Sequence, residues 1–77
     1  MPYVSIKTFP QDEEARKRAA EKIHRLLMEE WGSQADWISV SIENIEPEQW
    51  DERIVRGSME ADAPFMLIRD GEKLYKE

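Results

Sequence analysis

One segment, "DEEARKRAAEKIHRLLMEEW" (12–31), limits what this chain can fold into more than any other. Ala15, Ala19, Ile23, Leu26, Leu27 and the Glu30/Trp31 step recur with the i, i+4, i+7 rhythm of an amphipathic helix. Asp12 is placed to cap its start, and Glu13 and Glu14 suit the positive end of the helix dipole. Gly32 follows as a stop signal. Glu13–Lys17, Glu14–Arg18 and Glu21–Arg25 are spaced as i,i+4 ion pairs. At ~1.5 Å per residue such a helix spans ~30 Å, enough to recross a strand.

Both flanks alternate with a period of two. In "PYVSIKTF" (2–9), Val4, Ile6 and Thr8 share one face, with Tyr3, Ser5 and Lys7 on the other. In "WISVSIENI" (37–45), Ile38, Val40 and Ile42 oppose Trp37, Ser39, Ser41 and Glu43. Strand, long helix and strand predict a βαβ unit with parallel strands and a right-handed crossover. Its sheet has one apolar face for the helix and one face of serines and charges. Further along, Pro47 suits the first position of a short helix or turn over 46–57. "SMEADAP" reads as a loop, and the Asp-Gly pair within 65–76 predicts a hairpin.

The chain has 77 residues, which predicts one domain over 1–77 with a modest core. It has no cysteine, which excludes disulfides and thiolate metal sites. A single histidine, His24, speaks against a histidine-based zinc site; we expect it at the edge of the helix's apolar stripe. The acids of 43–52 match no calcium-binding loop. Two strands do not stand alone, so self-association is expected. The net charge of −6 speaks against nucleic acid and anionic membranes as partners. No apolar run approaches the ~20 residues of a membrane span. No secretory signal is recognisable, so a cytoplasmic protein is expected.

The remaining chemistry centres on "MP". Methionine aminopeptidase removes an initiator methionine when a small residue follows, and proline qualifies. Pro2 would then expose a secondary amine at the head of a strand. An α-amino group has a pKa of about 7.7–8.0, and burial lowers it toward neutrality, where a general base works best. The alternative is that Pro2 simply begins an edge strand, where proline is tolerated.

The opening "MPYVSIKTFP", the long helix and the tract "SVSIENIEPEQW" together resemble the 4-oxalocrotonate tautomerase superfamily. Within it, the chain is most similar to the short-chain phenylpyruvate-type tautomerases that form dimers. The resemblance implies a small α/β fold of the βαβ kind. It would have two parallel strands, one long helix, a short second helix and a C-terminal hairpin, completed by oligomerisation. It implies cofactor-free proton transfer α to a carbonyl, on a keto or enol acid with an aromatic or hydrophobic part. Pro2 would be the general base. Trp50 stands in the aromatic position that lines the pocket, with ordinary packing as its alternative. A homodimer is expected; a hexamer would place the chain on another branch of the family.

The chain also departs from the family pattern. An arginine before the first helix is replaced at Gln11/Asp12, and Ser39 fills the slot of a second arginine in the second strand. Those arginines hold dicarboxylate substrates, as bidentate guanidinium does. Arg53 and Arg56 follow Trp50 closely and are the candidates to replace them, against a reading as solvated side chains. Lys7 is a further polar-face residue that could reach a site or an interface. The rival reading is a non-catalytic binding or scaffold protein on the same fold.

Overall fold

A computed structural model describes residues 1–76 and resolves two compact units, Met1–Pro47 and a second starting at Glu48. In the first, strand β1 (Tyr3–Thr8) and strand β2 (Ser39–Asn44) pair in parallel, joined by helix α1 (Glu13–Trp31). The register runs Tyr3↔Ser39, Ser5↔Ser41, Ile6↔Ile42 and Lys7↔Glu43. Side chains alternate along a strand, so Val4, Ile6, Thr8, Val40 and Ile42 share one face and are half-buried. α1 packs on β2, and the serine-rich face lies opposite. The expected α/β βαβ unit is present.

Local chemistry sets the limits of α1. The Asp12 carboxylate accepts from the Ala15 backbone N–H at 2.7 Å, as an N-cap does. Gly32 adopts the left-handed region at φ 64°, and its N–H donates to the Met28 carbonyl. Lys17 reaches Glu13 at 3.4 Å and Glu14 at 3.9 Å. The expected Glu14–Arg18 and Glu21–Arg25 pairs are not formed among the described residues. Asn44 then fastens the strand end to the α1 approach: its side-chain amide donates to the Gln11 carbonyl and accepts from the Gln11 N–H, both at 3.1 Å. β2 is shorter than its alternating pattern, because the Trp37 N–H donates to the Gln34 carbonyl and holds Ala35–Trp37 in a 3₁₀ turn.

The second unit carries the main departure from expectation. The stretch read as a short helix followed by a loop is helical throughout 47–62: α2 (Pro47–Trp50), a π-helix (Asp51–Met59) and α3 (Glu60–Asp62). Asp51 and Arg56 form an ion pair at 2.9 Å across five residues, the spacing that one π turn brings together. A 3₁₀ turn at Ala63–Phe65, with Pro64 in its first positions, ends the run. The expected hairpin follows as β3 (Ile68–Arg69) and β4 (Glu72–Lys73). Asp70 and Gly71 both have positive φ, 48° and 80°, as a two-residue type I′ turn requires.

Few side chains are sealed. Leu27 and Ile54 are buried, and Ile45 is 0% exposed, while Tyr3, Trp31, Phe65 and Leu67 remain largely open. Among the described residues, no helix is long and apolar enough to cross a membrane.

Candidate active site

Pro2 immediately precedes β1 and is half-buried. It has no N–H to give to a ladder, but its carbonyl can accept. The Ser39 N–H donates to that carbonyl at 3.1 Å, so the sheet holds Pro2 one residue ahead of the paired strand. The structure therefore brings together two of the residues singled out from the sequence. Met1 is 89% exposed. While Met1 is attached, the Pro2 nitrogen is an amide with no basic lone pair. Release of Met1 converts the same atom to a secondary amine, already fixed through the adjoining carbonyl.

The polar sheet face beside Pro2 carries a network that sequence reading did not assign. Lys7 Nζ donates to Ser5 Oγ at 2.6 Å. The Tyr3 phenol is held below its ordinary pKa, first by hydrogen bonding with Ser41 and then with Ser5; a smaller desolvation effect opposes this, and the Lys7 charge adds to the lowering. Alternation places Tyr3, Ser5 and Lys7 together. The contribution of Ser41 depends on the parallel register with β2, which is not local in sequence.

Trp50, Arg53 and Arg56 belong to the second unit. Trp50 is half-buried at the end of α2. Arg53 Nη1 donates to Gln49 Oε1 at 3.3 Å, and Arg56 Nε is engaged by Asp51. Both arginines are exposed. His24 is half-buried at the helix boundary, with Nε2 2.9 Å from the Ala35 carbonyl.

The chain is 36% identical over 56 residues to Tautomerase PptA of Pectobacterium atrosepticum, covering 70% of this chain and 74% of that protein. It is 34% identical over 56 residues to Tautomerase PptA of Pectobacterium carotovorum subsp. carotovorum, with the same coverage. This chain belongs to the tautomerase family. No family model matches it. Both relatives are named as tautomerases, which are isomerases, and the parallel βαβ unit fits the tautomerase fold.

Proposed function

We propose that the protein is a cofactor-independent keto–enol tautomerase in which the Pro2 amine, freed by removal of Met1, is the general base. The placement of Pro2 carries this reading: it heads β1 and is held through its carbonyl by Ser39 in a chain of the tautomerase family. With a 2-keto acid enol, the amine takes the hydroxyl proton. The carbon–oxygen double bond forms as the carbon–carbon π electrons move to the α-carbon, which accepts a proton. The substrate class we assign is a keto or enol acid with an aromatic or hydrophobic part. Trp50 is assigned as an aromatic pocket wall, Arg53 or Arg56 as the carboxylate anchor, and Ser39 as a residue beside the base; these roles rest on the family resemblance. The working form is a homodimer in the cytoplasm. Sparse burial and open apolar side chains support association.

The experiment is the pH dependence of kcat/KM on phenylpyruvate enol with Met1 removed. We expect a rise with pH through one ionisation, with an apparent pKa below that of a solvated prolyl amine. A profile flat across that range would defeat the reading. One observation favours the alternative, a non-catalytic binding or scaffold protein: Arg53 and Arg56 both contact residues of their own helical segment.

A further inference from the structure

Arg16 stands out among the charged side chains. Its Nε is sealed from solvent and has no hydrogen-bond partner. It forms no ion pair among the described residues. Its natural helical neighbour, Glu13, faces Lys17 at 3.4 Å, and Glu14 does the same at 3.9 Å. In a chain with 17 acids and 11 bases, an unpaired cation beside the acidic first turn of a helix calls for a reason. A buried donor left without a partner costs about 1–3 kcal/mol, more when charged.

Arg16 lines a pocket of about 230 Å³ between α1 and the two strands. Ile6, Ala15, Ala19 and Ile42 supply apolar walls. Thr8 and Gln11 add polar groups, and no carboxylate lines it. The neighbouring pocket that Arg16 also borders is lined by both Glu13 and Lys17, which pair with each other. Gln11 is well placed to serve a ligand, because Asn44 holds its backbone at both N–H and carbonyl.

We propose that this pocket binds a small carboxylate with an apolar body, anchored by Arg16. A guanidinium grips a carboxylate with two parallel N–H donors, and the side-on form of that fork uses Nε, so binding requires the Arg16 side chain to turn its sealed Nε into the pocket. The apolar walls take the body of the ligand, and the Gln11 amide is available to the second carboxylate oxygen. The volume lies below the roughly 300–1,000 Å³ of pockets for drug-sized ligands, which limits the ligand to a compact acid. Ile6, the β1 lining residue nearest Pro2, lies four residues along the strand from it, about 13 Å at the usual strand rise. The pocket is therefore separate from Pro2 of the same chain, and the proposal stands or falls independently of the Pro2 reaction.

Sodium benzoate is the probe, titrated into ¹⁵N-labelled protein at constant ionic strength. The readout is the Arg16 Nε–Hε cross-peak, assigned by its loss in Arg16→Lys. We expect a saturable shift of that cross-peak. Arg16→Gln should weaken benzoate binding at least tenfold, the equivalent of one lost ionic hydrogen bond. Arg16→Lys, which keeps the charge but loses the fork, should fall between the two. An unmoved cross-peak would overturn the proposal, as would an equal response to chloride. So would a shift that follows protein concentration without benzoate, since the anion would then be a side chain of another copy. If Arg16→Gln fails to fold, the wild-type titration and Arg16→Lys still decide.

Discussion

The backbone N–H of Ser39 donates to the carbonyl oxygen of Pro2 at 3.1 Å. This bond lies just outside the paired register, which begins at Tyr3 and Ser39. It fixes the residue before the strand without using the proline nitrogen. A residue just ahead of a strand would otherwise fray, because terminal residues are poorly ordered unless tied down. Here the second strand of the βαβ unit ties it down, and that strand reaches the spot only because α1 recrosses the sheet.

Tyr3 and Ser41 give a prediction independent of catalysis. Hydrogen bonding with Ser41 is the largest cause of the lowered phenol pKa. Ser41→Ala should therefore move the Tyr3 titration upward, followed by phenolate absorbance with Tyr3→Phe as the reference. The sign of the linkage follows. The folded phenol releases its proton before the unfolded one, so the contribution to stability is fully present above the unfolded value, about 10. It is lost as pH falls through the folded value, and at neutral pH it is absent. An unchanged Tyr3 titration in Ser41→Ala would contradict the network.

Trp50 is the next residue to test. If it walls the substrate pocket, Trp50→Ala should lower kcat/KM for phenylpyruvate enol about tenfold or more, as loss of a buried aromatic contact would. Circular dichroism should show the fold retained. Unchanged kinetics in a folded variant would assign Trp50 to packing alone.

Assembly is tested by light scattering at micromolar concentration. A homodimer gives about twice the 9.1 kDa chain mass. A monodisperse monomer would remove the dimer from the account, whereas a hexamer would change only the branch of the family.

Much of the fold was legible because its signals are local. Period-two alternation placed both strands, Asp12 and Gly32 bracketed the long helix, and Asp70-Gly71 marked the hairpin turn. The π-helix was not legible. Gly57 and Ser58 look like a break, and the Asp51–Arg56 pairing across five residues matches neither the helical nor the strand period. Pro2 and Ser39 were both singled out from the sequence, and the structure joins them by one backbone hydrogen bond. Arg16 was missed because, in sequence, it is one more basic residue of a charged helix. Its burial becomes visible only when Ile6 and Ile42 are brought beneath α1. The role of Ser41 beside Tyr3 likewise depends on a parallel register set by the crossover.

The most direct measurement of the central claim compares two forms of the protein that differ only at the amino end. In one, Met1 has been removed and intact mass confirms Pro2 as the first residue. In the other, an uncleaved extension keeps the Pro2 nitrogen an amide. Circular dichroism and light scattering establish that fold and assembly match, and both are assayed on phenylpyruvate enol. The account predicts activity in the processed form and none above background in the extended one, because an amide nitrogen has no lone pair to accept the proton. Equal activity in the two forms would contradict Pro2 as the base, and inactivity in both would favour a non-catalytic member of the family.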